Sequence, residues 1–193
     1  MKLFLIRHGQ SVANVNNLCG GHMDVPLTDE GKRQAEAIRP ILAKFQFDRV
    51  YTSDLSRARD TQRLAMPDVT GIVTPLIREI HVGSLAGLSF AEIRQRLGGV
   101  SPHQLPDQYL SFGGESKEMV AHRMRKFLSM LEEDPCDYVA AFSHGGASSV
   151  LLESVLGGSI DRTSIFTPNC SIQVFEFDGQ KWKLLAWNYM GAI

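Results

Sequence analysis

The sequence has almost no net charge and no long hydrophobic run. Its 20 Lys and Arg residues balance 21 Asp and Glu residues, which leaves a formal net charge of −1, and the basic residues are scattered. Proteins that bind nucleic acid need a clustered basic face, so we expect no nucleic-acid partner. The first apolar run, residues 3–6, ends at Arg7 and is too short for a signal peptide or a membrane span. We therefore expect a cytoplasmic protein with no membrane partner.

The sequence is also poor in cysteine. Its three cysteines, Cys19, Cys136 and Cys170, are odd in number and far apart, which excludes a disulfide framework and a paired zinc-ligand pattern. We expect free thiols, buried or half-buried. A zinc hydrolase would need closely spaced His or Cys ligands, and none are present in the sequence. We accordingly predict no metal site and no cofactor.

The remaining composition is that of an ordinary globular protein. The chain has 193 residues, of which 44% are hydrophobic and 21% charged, and this length suits one core. Helical and strand patterns alternate along it, which predicts a mostly parallel sheet covered on both faces. The fold expected is an α/β three-layer αβα sandwich with an antiparallel edge. We predict a single domain, residues 1–193, with a short lid-like insertion at about 80–114.

Hydrophobic periodicity and turn signals give approximate boundaries for the elements. Strands are predicted at residues 2–6, 47–52, 72–77 and 138–142, with a terminal hairpin of residues 171–177 and 182–187. Helices are predicted at residues 28–45, 56–66, 89–97, 115–133 and 146–156. Pro40 should kink or interrupt the first helix. Residues 98–114 should be a loop-rich excursion.

The predicted parallel strands bring polar residues to one edge of the sheet. In open parallel sheets, ligands bind outside the carboxyl ends of the strands. The residues expected there are Arg7, His8, Gly9, Ser53, Asp54, Arg57, Arg78, Glu79, Ser143, His144, Gly145 and Gly146. Histidines, arginines and a carboxylate should therefore meet at this edge.

This combination suits the transfer of a phosphoryl group, which needs a nucleophile, compact positive charge and an acid for the leaving oxygen. Arg7 and Arg57 can each bind phosphate oxygens in a bidentate manner, and Asn14 can donate an amide hydrogen. Backbone N–H groups at a helix start, such as that of Gly145, can donate as well. His8 can attack phosphorus, and His144 can balance charge from the far side.

Each of these residues also has a purely structural interpretation. An isolated Arg-His-Gly or Ser-His-Gly-Gly is weak, because the histidines could be satisfied core residues. Gly145 and Gly146 could merely relieve crowding at a tight turn. Arg57 could be a solvated helix residue, and Glu79 could simply pair with Arg78. Their joint arrival at one sheet edge favours the functional interpretation.

The motifs together resemble the histidine phosphatase superfamily, also called the phosphoglycerate mutase-like family, over nearly the whole chain. The resemblance rests on three N-terminal blocks and three later ones: residues 5–11 (LIRHGQS) with Asn14, residues 24–28 (DVPLT) with Gly31 and Gln34, residues 53–61 (SDLSRARDT), residues 76–80 (LIREI) with Gly83, residues 113–116 (GGES), and residues 143–146 (SHGG).

The resemblance implies a phosphoglycerate mutase-like fold and a metal-independent reaction of the histidine acid phosphatase type. The resemblance also implies that His8 is the nucleophile, which forms a phosphohistidine, and that Glu79 is the proton donor. Arg7, Arg57, Asn14 and His144 form the phosphate pocket. One position departs from the family, because Ala86 stands where many members carry glutamate. We expect this change to affect substrate class or rate but not the basic chemistry.

Three functions fit the resemblance. Mutases of the family have a longer insertion, whereas residues 80–112 are short here, so water should enter easily and a phosphatase of the small phosphatase branch is favoured. A phosphoglycerate mutase-type phosphotransferase and a non-catalytic phospho-ligand binder are the alternatives. The expected partner is a small-molecule phosphate monoester, and the protein should be a monomer or homodimer. The residues that could choose the substrate are His81, Arg94, Arg96, His103, Gln104, Leu105, Tyr109 and Phe112.

Overall fold

A mixed six-stranded sheet organises the protein in a computed structural model that describes residues 1–100, 109–158, 165 and 167–189. The strands are β1 (Lys2–Arg7), β2 (Arg49–Thr52), β3 (Ile72–Val73), β4 (Tyr138–Ser143), β5 (Ile172–Phe177) and β6 (Trp182–Ala186). They lie in the order β3-β2-β4-β1-β5-β6. β1 to β4 pair with one another in parallel, while β5 runs antiparallel to both β1 and β6 and so forms an antiparallel edge with β6.

Helices cover both faces of the sheet. They are α1 (Val12–Val15), α2 (Asp29–Ala37), α3 (Arg39–Leu42), α4 (Ser56–Ala65), α5 (Phe90–Arg96), α6 (Lys117–Glu132) and α7 (Gly145–Leu156). Alternate residues of β1 enter two separate cores. Leu3 and Leu5 join the core under α6 and α7, while Phe4 and Ile6 join the core under α2, α3 and α4. Because a strand buried on both faces must be apolar throughout, the run at residues 3–6 follows from its central place.

The predicted three-layer α/β fold with a mostly parallel sheet and an antiparallel edge is confirmed. The break near Pro40 is also present, since α2 ends at Ala37 and Pro40 lies at the start of α3. The predicted strand at residues 72–77 is mostly wrong. Only Ile72 and Val73 pair with β2, and Pro75 to Ile77 form a 3₁₀ turn capped by the Thr74 side chain. Proline cannot donate to a sheet and suits the first turn of a helix.

The segment before α6 agrees in part with the predicted loop. Leu110 to Phe112 form a 3₁₀ turn, and residues 101–108 lie outside the described residues. No helix in the described ranges is both long enough and apolar enough to cross a membrane. The single domain over residues 1–193 stays a prediction.

All three cysteines are free and buried, as expected. Burial raises the pKa of Cys19 to about 11 and that of Cys170 to about 12. Both therefore remain thiols at neutral pH, and a thiol is a poor nucleophile. Within the described ranges, no group of three or more His, Cys, Asp or Glu side chains is placed to hold a metal ion.

Candidate active site

Three neighbouring strands end at the predicted edge of the sheet. The register of β1 and β4 places Arg7 beside Ser143, so His8 and His144 follow at the same level. The N–H of His8 donates to the Ser143 carbonyl at 3.0 Å. On the other side of β4, the N–H of Ser53 donates to Phe142 at 2.9 Å. Parallel pairing thus brings together residues that are far apart in the chain.

His8 is buried, and its surroundings hold it neutral with one ring nitrogen unprotonated. Nδ1 lies 2.7 Å from the Gly9 carbonyl oxygen, which can only accept, so Nδ1 carries the hydrogen. Nε2 lies 3.2 Å from Arg57 Nε, which can only donate. Burial and the charges of Arg57 and Arg7 hold the pKa of His8 well below 6.5. The lone pair on Nε2 is therefore available at neutral pH.

His144 is fully buried beside His8, with the ring centroids 5.1 Å apart. Its Nε2 lies 2.8 Å from the Ser53 hydroxyl, which already accepts the Leu55 N–H at 3.3 Å. In the tautomer that gives the Ser53 hydroxyl hydrogen an acceptor within the described chain, Ser53 donates to Nε2 and the ring hydrogen lies on Nδ1. Nδ1 is buried and has no hydrogen-bond partner among the described residues. It is a donor that a bound anion can satisfy.

Two arginines supply the positive charge. Arg57 Nε donates to His8, and its terminal nitrogens donate to the carbonyls of Met23 at 2.7 Å and Gly21 at 2.8 Å. Arg7 donates to the carbonyl of Thr167, while its Nε is buried and has no partner among the described residues. Burial lowers the pKa of both arginines, and the charge of Glu79 opposes this shift. Both guanidinium groups are charged at neutral pH, and their charges act on His8.

Asn14 has a fixed orientation. Its Oδ1 accepts the Ser11 N–H at 3.0 Å and the Asn169 Nδ2–H at 3.2 Å, which leaves its own Nδ2 as the group that can donate into the pocket. These bonds belong to a capping box that begins α1 at Ser11. Asn169 also donates to the His8 carbonyl at 3.1 Å. Sequence reasoning missed α1 and Asn169, although Ser11 and Asn14 at N-cap and N3 spacing were the signal for α1.

Glu79 faces the start of α7 and does not pair with Arg78, as its alternative structural interpretation would require. Its Oε2 accepts the Gly146 N–H at 3.1 Å, and its Oε1 accepts the N–H groups of Ala147 at 3.0 Å and Ile80 at 2.9 Å. A helix N-terminus stabilises a carboxylate in this way. The structural interpretation of Glu79 as a partner of Arg78 is wrong, because Arg78 pairs with Asp54.

The two glycines of this turn allow both functional groups to approach α7. A Cβ at Gly146 would lie 2.5 Å from Glu79 Oε1, and one at Gly145 would lie 3.3 Å from Arg7 Nε. The close approach at Gly146 leaves no room for a side chain, while the approach at Gly145 is merely tight. The two glycines therefore do relieve crowding at the turn, but the side chains that come close to them are the candidate site residues Arg7 and Glu79.

A second layer of charged groups holds the backbone around Glu79. Arg123 donates to the carbonyls of Leu76 at 3.0 Å, Arg78 at 2.6 Å and Glu79 at 2.9 Å. Its guanidinium also pairs with Glu115, whose carboxylate accepts the His81 N–H at 2.8 Å. Because one planar group binds three carbonyls within residues 76–79, it fixes where the segment bearing Glu79 lies. The sequence marked Glu115 as a motif residue but gave Arg123 no role.

A pocket of about 730 Å³ opens over these groups. Its lining includes Arg7, His8, Asn14, Arg57, Glu79 and Gly145, as predicted, whereas His144 lies beneath the surface. Of the predicted substrate-choosing residues that the structure describes, Tyr109 alone lines this pocket; His103, Gln104 and Leu105 lie outside the described residues. Ala86 packs against the core and does not line it.

The chain was compared with protein-family models, with curated proteins and with solved structures. The model of the histidine phosphatase superfamily (branch 1) matches residues 3–190. An adenosylcobalamin/alpha-ribazole phosphatase of Salmonella typhimurium is 30% identical over 169 residues, which cover 81% of this chain and 80% of that protein. A 2,3-bisphosphoglycerate-dependent phosphoglycerate mutase 2 of Gloeobacter violaceus is 33% identical over 160 residues, 78% of this chain and 73% of that protein.

Among solved structures, a mycobacterial glucosyl-3-phosphoglycerate phosphatase in complex with VO3 superposes with a TM-score of 0.83. It is 28% identical to this chain, and the superposition covers 98% of this chain and 99% of that one. The similarity therefore extends over the whole sheet and all the strand ends that form the pocket.

Proposed function

We propose, from the premise that the chain belongs to branch 1 of the histidine phosphatase superfamily, that it hydrolyses a small phosphate monoester through a phosphohistidine on His8. The observation that carries the proposal is the state of His8. Its Nε2 is unprotonated, faces the Arg57 guanidinium in the first turn of α4, and lies in the field of Arg7. A phosphoryl group placed there meets a nucleophile and positive charge at once.

In the first half of the reaction, His8 Nε2 bonds to phosphorus while the bond between phosphorus and the alcohol oxygen breaks. Glu79, which enters this step protonated, gives its proton to that oxygen, and the alcohol leaves. The hydrogen bond from Arg57 Nε passes from Nε2 to a phosphate oxygen as Nε2 is phosphorylated. Transfer in line requires the acid to lie opposite the nucleophile, and Glu79, held at the start of α7 by the N–H groups of Gly146 and Ala147, lines the same pocket as His8.

In the second half, a water oxygen bonds to phosphorus and the bond to Nε2 breaks. Glu79 takes the proton of that water and so returns to its starting state, while inorganic phosphate is released. Arg7, Arg57, Asn14 Nδ2, His144 Nδ1 and the N–H of Gly145 hold the phosphate oxygens in both halves. Two buried unpaired nitrogens, Arg7 Nε and His144 Nδ1, gain partners in this state. Such donors stabilise developing charge without reorganisation, so the reaction needs no divalent metal.

The test compares wild type with His8→Ala and with His122→Ala, which changes an exposed histidine of α6. A radiolabelled aryl phosphate is turned over in EDTA, quenched in alkali, and the protein is analysed for alkali-stable, acid-labile phosphate. We expect a phosphoenzyme and phosphate release in wild type and His122→Ala, and neither in His8→Ala. Turnover by a folded His8→Ala protein, or loss of wild-type activity in EDTA, would contradict the proposal.

The mutase remains a second candidate, because a phosphoglycerate mutase is among the relatives. It shares the first half-reaction and differs in giving the phosphoryl group to a second hydroxyl. Interconversion of 2- and 3-phosphoglycerate, dependent on bisphosphoglycerate and faster than phosphate release, would identify it. A non-catalytic binder would take up vanadate and release no phosphate from any monoester.

A further inference from the structure

The charged side chains of the pocket gather at one end. Those that line it among the described residues are Arg7, Arg57 and Glu79, and we call these three, together with the neutral His8, the phosphate end. Arg57 bonds to His8, and Arg7 and Glu79 approach neighbouring glycines of α7. All of this charge is therefore concentrated where a single phosphoryl group would bind.

Two basic side chains beside the segment that carries Glu79 are already paired. Arg78 binds Asp54, and Arg123 binds Glu115 and three carbonyls. Neither lines the pocket in the described part of the chain. A second anionic group on a substrate would therefore meet no free cation among these residues.

The rest of the lining is uncharged and carries several large apolar side chains, namely Leu18, Val82, Phe90, Tyr109 and Ile165. Phe90 is the most distinctive, because it is 56% exposed although it is large and apolar. Its backbone is fixed on the pocket side: the N–H of Phe90 donates to Asn17 at 3.2 Å, and Leu18 pairs with Ser89 in an isolated bridge. A rigid exposed ring at a pocket is a surface for stacking.

We propose, building on the phosphatase function above, that the alcohol part of the substrate is uncharged and has an aromatic or apolar face that packs on Phe90. Monoesters that carry a second carboxylate or phosphate are then poor substrates. A carboxylate in this lining would be partly desolvated without a counter-ion, and it would also approach Glu79. The pocket thus selects by charge at one end and by apolar contact along the other.

Three monoesters of primary alcohols test the charge preference, because they differ little in leaving group. Benzyl phosphate has a neutral apolar alcohol, glycerol 3-phosphate a neutral polar one, and 3-phosphoglycerate an anionic one. We expect kcat/KM to fall in that order, with benzyl phosphate at least tenfold above 3-phosphoglycerate. An equal or higher value for 3-phosphoglycerate overturns the inference.

Variants at Phe90 test the stacking surface. Phe90→Ala should lower kcat/KM for benzyl phosphate about fivefold, in line with the typical strength of an aromatic contact, and should leave glycerol 3-phosphate unchanged. Phe90→Arg should raise kcat/KM for 3-phosphoglycerate about fivefold relative to kcat/KM for benzyl phosphate. Leu156→Ala is the matched control, since Leu156 is 55% exposed at the end of α7 and does not line the pocket. Equal losses on benzyl and glycerol esters in Phe90→Ala would contradict the proposed contact.

A binding experiment separates this inference from the catalytic proposal. Benzylphosphonate and 3-phosphonopropionate cannot be hydrolysed at their P–C bonds, so calorimetry measures their affinity for wild type without turnover. We expect benzylphosphonate to bind at least tenfold more tightly. The reverse order, or no binding of either compound, overturns the inference. The expected order in a protein that hydrolyses no monoester supports the pocket assignment and overturns only the phosphatase.

Discussion

Gly146→Ala tests the placement of Glu79 more sharply than removal of the carboxylate does. The substitution leaves every functional group in the protein and adds one methyl group to the first turn of α7. That methyl carbon would lie 2.5 Å from Glu79 Oε1 and 3.0 Å from Ile80 Cδ1. Because alanine is the better helix former, the helix itself should gain stability. Any loss of activity then comes from displacement of the carboxylate.

The size of the effect follows from this distance. Oε1 must move by about 0.9 Å for the contact to reach 3.4 Å, where ordinary van der Waals separation begins. It thereby loses the hydrogen bond that it accepts from the Ala147 N–H, and the turning of the carboxylate weakens the bond that Oε2 accepts from the Gly146 N–H. A misplacement of about 1 Å in a catalytic group costs roughly 100-fold in rate. We therefore expect kcat/KM for benzyl phosphate to fall about 100-fold.

The assay compares two leaving groups in two neighbouring variants. Benzyl alcohol leaves with help from an acid, whereas 4-nitrophenolate leaves without it, so Gly146→Ala should lower kcat/KM for 4-nitrophenyl phosphate less than fivefold. Gly145→Ala is the matched control, because its Cβ would lie 3.3 Å from Arg7 Nε and would not touch Glu79. It should affect both esters alike, and only severalfold. Equal losses on the two esters in Gly146→Ala, or none, would refute the role of Glu79 as the acid.

Two further predictions concern buried groups. Burial holds the pKa of His8 and His144 well below 6.5 in the folded protein. Because the unfolded chain therefore binds more protons in acid than the folded chain does, the stability that is present above pH 6.5 is lost as the pH falls below it. Each histidine should lower the free energy of unfolding by about 1 kcal/mol between pH 6.5 and 5.5. In urea titrations His144→Gln should reduce this loss, while His122→Gln, at an exposed site, should not. An unchanged loss in His144→Gln contradicts the reasoning. Arg123→Lys removes a planar group that binds three carbonyls. It should lower kcat/KM about tenfold for benzyl phosphate but less than twofold for 4-nitrophenyl phosphate, and the exposed control Arg125→Lys should change neither value. Equal losses of kcat/KM on the two esters would show that Arg123 has only a structural role.

The sequence allowed prediction of what local pattern and strand topology determine. The apolar run before Arg7, the cap at Thr28 and the proline at position 40 each predicted an element that is present. The arrival of His8 and His144 at one edge followed from parallel strands alone. The error at residues 72–77 arose because an apolar pattern outweighed Pro75, which ends the strand.

The remaining features depend on contacts between distant segments. Asn169 reaches His8 and Asn14 across more than 150 residues, and no spacing in the sequence marks it. Arg78 and Glu79 are adjacent, yet one pairs with Asp54 and the other with α7. Only the packed fold decides which of two neighbouring charged residues faces the pocket.

The pairing of β1 also determines when the protein can become active during its synthesis. β1, which ends beside His8, is made before the two strands with which it pairs, β4 on one side and β5 on the other. It must therefore wait, exposed and apolar, until the ribosome has made β5, which lies more than 160 residues later in the chain. Such long-range pairing is slow, and the waiting strand is open to aggregation. Chaperone contact at residues 3–6 during translation is the expected safeguard, and no partial chain that lacks β5 should turn over substrate.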